Sequence, residues 1–206
     1  MSATNRGNPR IPFDDYPTPA WATHLLIKQV SSEFDSGDLW LEPAAGAGSI
    51  IRAVNDVRLV TPKWSATEIQ EQYYDPLQDL WKEQKINDFT IADFLSPTIT
   101  FDKKFDVVLT NPPYRLAQKF IQKSLEVSKS AVMLLRLNFL EGIQRYGWLN
   151  GNMPDIYVLP KRPQFRFGIN PKTKKPFGTD ACAYAWMLWR AGYHQKSGRI
   201  MLLSPP

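Results

Sequence analysis

Short apolar runs alternate along this chain with stretches of helical spacing. Phe105-Asp106-Val107-Val108-Leu109-Thr110 is apolar, β-branched and short, the pattern of a strand buried on both faces of a parallel sheet. Similar runs predict strands at Asp38–Leu41, at a segment ending Ala66-Thr67-Glu68-Ile69, and at Phe89–Leu95, Ala131–Leu137, Ile156–Leu159 and Ala183–Arg190, the last with Trp186 and Trp189. Between them, apolar positions three and four residues apart predict helices. The first has Thr18 as its cap and Pro19 as its first residue, and runs through Trp21, Leu25, Leu26 and Val30. Others are expected over Ile50–Val57 and from Pro76 through Leu77, Leu80 and Trp81. A further helix over Leu116–Val127 would bury Phe120, Ile121, Leu125 and Val127, and one over Asn138–Leu149 would break near Gly147. Residues 1–12 are polar, with Asn, Gly and Pro, and read as a mobile arm before one domain spanning 13–206.

The strand at Phe105–Thr110 runs straight into Asn111-Pro112-Pro113-Tyr114. Neither proline can donate to a sheet ladder, so the chain leaves the sheet as a stiff turn. In an open α/β sheet, ligands bind at the carboxyl ends of strands. A carboxamide, a fixed carbonyl and an aromatic ring are thus held together at a strand tip. Asn111 Oδ1 can accept one hydrogen of a planar amino group, the Pro112 carbonyl can accept the other, and Tyr114 can stack on a flat heterocycle. Drawing both N–H groups out of the ring plane weakens conjugation of the nitrogen lone pair and makes it nucleophilic. No general base is then needed before attack. Taken alone, the tetrapeptide also fits a plain Asn-Pro turn.

The first strand leads into Glu42-Pro43-Ala44-Ala45-Gly46-Ala47-Gly48-Ser49, a glycine-rich turn that lets backbone approach a ligand closely. Ile51 stands where a dinucleotide fingerprint has its third glycine, and Glu42 would repel a pyrophosphate. An acid there suits an ammonium or sulfonium group. Glu68, with Ile69 beside it, ends the second strand about twenty residues after the glycines, where an acid can hold ribose hydroxyls. Asp93 can accept from an adenine amino group, and Phe94 can stack on its ring. Singly, each acid is an ordinary solvated strand end. Their occurrence at three successive strand ends, in register with a glycine turn, points to one ligand. The Tyr16-Pro17-Thr18 turn before the first helix is either a simple cap or a cover for that ligand.

Between the last two strands lies a basic, aromatic loop at 160–182, containing Lys161, Arg162, Phe165, Arg166, Phe167, Lys172, Lys174 and Lys175. Long loops in compact domains are commonly functional. Aromatics between cations suit stacked bases and phosphates, although a solvated charged loop has the same composition. Of Phe165 and Phe167, Phe165 is the favoured base-stacking ring because it follows the stiff Arg162-Pro163 step.

Composition narrows this picture. The 206 residues are 43% hydrophobic, with a formal charge of +5 and an isoelectric point near 9.3. That is enough for one full core, and the basic excess is compatible with nucleic acid without establishing it. One cysteine, Cys182, and two histidines, His24 and His194, exclude an internal disulfide and argue against a metal site. No apolar run has membrane-spanning length and no signal-peptide pattern opens the chain, so a cytoplasmic location is expected, in a bacterium or a phage-infected host.

In order and spacing, these segments over Tyr16–Trp189 resemble the amino-methylating DNA methyltransferases, most closely the N6-adenine type. Tyr16-Pro17-Thr18-Pro19 is similar to that family's cofactor-covering motif, Glu42-Pro43-Ala44-Ala45-Gly46-Ala47-Gly48 to its glycine motif, and Asn111-Pro112-Pro113-Tyr114 to its catalytic tetrad. The resemblance implies a Rossmann-like α/β fold of class I methyltransferases: a seven-stranded, mostly parallel sheet with the last strand antiparallel and helices on both faces. It implies S-adenosylmethionine as cofactor, held by Tyr16, Pro17, Thr18, Glu42, Pro43, Ala44, Gly46, Gly48, Glu68, Ile69, Asp93, Phe94 and Asn111. Catalysis falls to Asn111, Pro112, Pro113 and Tyr114, on an adenine flipped out of double-stranded DNA. Larger relatives carry a separate target-recognition domain, and no segment here is big enough for one. That leaves sequence recognition to the loop, the arm or a partner. The same tetrad would also serve RNA adenine or a protein glutamine amide. A DNA-binding protein on an inactive scaffold is the non-enzymatic alternative, opposed by the intact Asn111 and Glu42.

Overall fold

A computed structural model describes residues 16–35, 37–57, 59, 61–165, 174, 178–179, 181–192 and 194–205. The arm at 1–12, and Arg166, Phe167, Lys172 and Lys175 of the basic loop, lie outside the described residues. Eight strands form one sheet: β1 (Leu39–Glu42), β2 (Lys63–Glu68), β3 (Asp88–Ile91), β4 (Phe105–Thr110), β5 (Ser128–Arg136), β6 (Asp155–Val158), β7 (Tyr184–Arg190) and β8 (Ile200–Leu202). Their order is β3-β2-β1-β4-β5-β7-β6-β8. Only β7 runs against its neighbours, pairing antiparallel with both β5 and β6. All seven expected strands are present. The eighth, β8, pairs in parallel with β6 at the sheet's edge. Its three residues carry no alternation long enough to be read, and Ile200 and Leu202 stay exposed.

The helices are α1 (Ala20–Val30), α2 (Ser49–Val57), α3 (Tyr74–Lys82), α4 (Ala117–Val127) and α5 (Ile143–Leu149). Helices α1, α2 and α3 bury Leu26, Ile51 and Leu80 against one face of the sheet, with Trp40, Val132 and Trp186. Phe120 and Ile121 of α4 pack with Leu41, Met133 and Met187 on the other. Adjacent residues such as Trp40 and Leu41 therefore serve opposite cores, which is why the middles of the central strands are apolar at successive positions. Burying both faces takes apolar surface out of water, which contributes about 25 cal/mol for each Å² and is the main drive for this arrangement.

Three local expectations are corrected. Thr18 makes no side-chain cap; α1 begins after Pro19, whose extended backbone (φ −61°, ψ 130°) holds the N-cap position. The helix expected over Asn138–Leu149 breaks at Gly142, where φ is +107°, and Gly147 sits inside α5 without kinking it. The third strand stops at Ile91, so Asp93 and Phe94 lie in the turn beyond it.

The sheet's amino end is pinned by charge. The Asp155 carboxylate accepts from Arg190 Nη1 at 2.9 Å, Arg199 Nη2 at 2.8 Å and the Arg199 backbone N–H at 2.9 Å. Burial alone would raise its pKa, but bonds from the Arg199 side chain and backbone and from Arg190 outweigh it and draw the group down to about 2. The unfolded chain binds this proton more readily. The stabilisation is complete above the ordinary value of 3.8 and is lost as pH falls from there through about 2. Asp155→Asn is expected to flatten that acid limb in a series of thermal melts. An unchanged limb would assign acid sensitivity to other groups.

Candidate active site

Four neighbouring parallel strands end side by side. β1 stops on Glu42, β2 on Glu68 and β4 on Thr110, immediately before Asn111, while β3 delivers Asp93 two residues past its end. The pairings Glu42↔Ala66, Glu68↔Ile91 and Leu41↔Val108 keep these tips level. They open into one cleft of about 640 Å³. Strand order reverses direction between β1 and β4, the position at which α/β sheets leave a crevice.

The glycine turn forms the cleft's floor. Its carboxylate tether is Glu68, whose Oε2 accepts from Gly46 N–H at 2.7 Å and whose Oε1 accepts from Gln70 N–H at 2.9 Å. Gly46, at φ +50°, exposes backbone to the cleft, as does Ala44. Gly48 has another role and does not line the cleft. It adopts φ +77°, and a β-carbon there would collide with the buried Leu80 of α3. Its freedom lets α2 and α3 pack.

Glu42 is 1% exposed, and its Oε2 has no hydrogen-bond partner. Burial, reinforced by the Glu68 charge, raises its pKa well above the ordinary 4.5, and the nearby Thr110 hydroxyl offsets only part of this. A buried carboxyl with an unengaged lone pair at a cleft wall can take up a hydrogen bond or a charge from a ligand. Pro43, Ile69 and the ring of Phe94 add apolar surface. Phe94 is 1% exposed and held by Phe101 and Phe120, with centroids 6.3 and 5.3 Å away. Asp93 Oδ1 accepts from Leu95 N–H at 2.9 Å, and this exposed residue also lines the cleft.

The turn before α1 closes one side through Tyr16, Pro17 and Thr18. Thr18 N–H donates to Ser49 Oγ at 3.2 Å, tying this turn to the start of α2. Asn111 Nδ2 donates to the Tyr16 carbonyl at 3.2 Å. That bond fixes the carboxamide, and leaves Oδ1 buried and without a partner. Pro113 lines the cleft beside it; Pro112 and Tyr114 flank it in the chain and are not among the lining residues. Sequence reasoning did not assign Ser49, Gln70, Tyr73, Arg115, Leu116 or Phe120 to the site, although they also line the cleft. Ser49 could have been noted as the residue closing the glycine turn; the others come together only through folding.

Phe165 requires a correction. Its ring is 7% exposed, set between Tyr16 and Tyr184 with centroids 5.7 and 5.3 Å away. Buried in these contacts, it is a wall support and not a free stacking surface for a base. Phe165→Ala is therefore expected to lower unfolding stability by about 3 kcal/mol in chemical denaturation, as for a truncated core aromatic. A fully stable variant would return the ring to the surface. Lys161 and Arg162 are exposed, and Lys161 Nζ lies 4.8 Å from the centroid of Trp21 on α1. Lys174 is exposed as well. Among the described residues no cluster of His, Cys, Asp and Glu could hold a metal, and no helix is long and apolar enough to cross a membrane.

The chain matches no protein-family model and no curated protein in sequence. Solved structures match it in fold. A protein from Pyrococcus horikoshii assigned as an RNA methyltransferase superposes with a TM-score of 0.67 at 18% identity, over 89% of this chain and 91% of its own. The methyltransferase subunit of a type I restriction-modification system from Streptococcus thermophilus gives 0.66 at 17% identity, over 91% of this chain and 47% of that subunit. TrmN from Thermus thermophilus gives 0.54 at 15% identity, over 82% of this chain and 48% of its own. The chain thus has the Rossmann-like α/β fold of methyltransferases. Within that fold, its cleft sits where four strand tips carry Glu42, Glu68, Asp93 and Asn111.

Proposed function

We propose that this protein is an S-adenosylmethionine-dependent methyltransferase that acts on the N6 amino group of adenine in DNA, with 13–206 as its catalytic unit. The observation that carries this reading is the Asn111 carboxamide. Its donor is spent on the Tyr16 carbonyl, and its acceptor is left buried and unpaired beside a cleft of cofactor size. A buried polar atom without a partner loses roughly 1–3 kcal/mol of hydration, so its retention suggests a ligand that completes it.

The cleft's donors and acceptors fit the cofactor. Glu42 Oε2 would meet the ammonium or sulfonium charge, Glu68 the ribose hydroxyls and Asp93 the adenine amino group, with Phe94 and Ile69 flanking the ring. Bound there, S-adenosylmethionine supplies a methyl group activated by its sulfonium. The chain's own residues prepare the acceptor. Asn111 Oδ1 and the Pro112 carbonyl accept both hydrogens of the amino group and turn the nitrogen lone pair toward the cleft. Tyr114 stacks on the base, which must leave the duplex to reach it. Rate enhancement then comes from positioning and from fixed dipoles, with no side chain required as a base beforehand. Lys161, Arg162 and Lys174, together with Arg166, Lys172 and Lys175, supply phosphate contacts, which position the polymer without reading its sequence.

The test offers DNA, RNA and protein separately to the enzyme with methyl-labelled S-adenosylmethionine, and analyses the products by nucleoside mass spectrometry. Label in DNA as N6-methyladenine is expected. Label confined to RNA or to glutamine would overturn the DNA assignment, and absence of label in all three would overturn the enzymatic reading.

A further inference from the structure

Tyr114 does not stand alone at the strand tip. Arg136 ends β5, the strand beside β4, and pairs across an antiparallel ladder with Tyr184 at the start of β7. Its Nε donates to the Tyr184 hydroxyl at 2.9 Å. Its guanidinium carbon lies 5.0 Å from the centroid of Tyr114 and 5.9 Å from that of Tyr184, and the two tyrosine rings are 5.9 Å apart. Tyr184 also packs on Phe165, Phe165 on Tyr16, and the Tyr16 carbonyl accepts from Asn111. The contacts therefore form a circuit from Asn111 around the aromatic wall to Tyr114, and Arg136 bridges the two tyrosines at its far side.

We infer that Arg136 is a positioning residue for the acceptor, acting through Tyr114. It lies over the Tyr114 ring and so sets the angle at which that ring meets the substrate's flat group. The inference rests on the reading of Asn111 to Tyr114 as the acceptor site. The geometry needs an arginine. A planar guanidinium can lie over a ring while its Nε holds a hydroxyl at the edge, whereas a lysine offers a compact charge on a flexible stem. β7 has a direct part in this. Running antiparallel to β5, it starts at the sheet's carboxyl end and places Tyr184 there, locked by the Arg136↔Tyr184 pair.

The experiment is a double-mutant cycle of Arg136→Leu and Tyr114→Ala in the full chain, reading kcat/KM for methyl transfer to adenine-containing DNA alongside calorimetric binding of S-adenosylmethionine. Arg136→Leu should lower kcat/KM about 10-fold, the scale of a mis-set reacting group, and leave cofactor affinity unchanged. In the Tyr114→Ala background the same change should lower it less than about 2-fold, since coupled residues are non-additive. Arg136→Lys should be as slow as Arg136→Leu, and it carries the cycle if the leucine variant fails to fold. Additive losses, or a lysine variant at the wild-type rate, would overturn this inference alone. A wild-type protein that transfers no methyl group to DNA would overturn the reading on which it rests.

Discussion

Asn111→Ala is expected to reduce methyl transfer by about 10²–10³-fold or more, the scale seen when one preorganised polar contact to a reacting group is removed. S-adenosylmethionine binding should change only a few-fold, because in the proposed site Asn111 would face the acceptor while Glu42, Glu68 and Asp93 would hold the cofactor. Stability should move little. The variant loses the 3.2 Å bond from Nδ2 to the Tyr16 carbonyl, but it also removes the unpaired Oδ1. These effects oppose each other at roughly 1 kcal/mol each. Single-turnover rates, cofactor calorimetry and a thermal melt on the same preparation separate the three quantities. Comparable turnover in variant and wild type would remove Asn111 from the chemistry, and the proposed mechanism with it.

Glu42→Gln is expected to stabilise the ligand-free protein while weakening cofactor binding, and the two effects share one cause. Burial first, and the neighbouring Glu68 charge second, hold the Glu42 pKa well above 4.5. A raised carboxyl pKa means that the folded chain keeps its proton longer than the unfolded chain does. Its contribution to stability is full below 4.5 and is lost as pH rises through the folded-state pKa. The glutamine carries no such penalty. Near neutral pH its melting temperature should rise by about 2–4 °C for each kcal/mol recovered in a chain of this size. A cationic ligand favours the ionised form, so its binding to the wild type should release a proton and tighten as pH rises toward the pKa of the free protein. Losing that charge should weaken binding by about 2–4 kcal/mol, roughly 30- to 1000-fold. Calorimetry in buffers of different ionisation enthalpy counts the released proton. A glutamine variant that binds as tightly as wild type, with the same proton release, would place the cation elsewhere.

The elements that carry the site were legible because their signals are local. Central strands such as Phe105–Thr110 and Ala131–Leu135 are short, largely apolar and contain β-branched residues, the combination that favours a buried strand over a helix. The two prolines after Thr110 stop a ladder by their covalent structure alone. The glycine turn was equally visible, and one conformational requirement covers both Gly46 and Gly48, which lie at positive φ. What differed was the reason: Gly46 faces the cleft, whereas Gly48 makes room for Leu80, some thirty residues away in the chain.

Sequence by itself determined which residues stand at or just past the strand tips: Glu42, Glu68, Asp93 and Asn111 each follow a short segment whose composition reads as a strand. It also determined the residue types there, and hence the classes of group they can hold. Only the tertiary structure decided how these side chains are aimed. Glu68 is drawn into the glycine turn by two backbone N–H groups, while Glu42 is left buried without a partner at Oε2. Tyr16, 95 positions before Asn111, orients its carboxamide. Phe165 became a wall support because it is buried against Tyr16 and Tyr184, and Arg136 was tied to the aromatic wall because β7 reverses beside β5 and brings Tyr184 to it. Apolar periodicity arises from burial and is written into every few residues, whereas a hydrogen bond depends on where two distant segments meet, which no local pattern encodes.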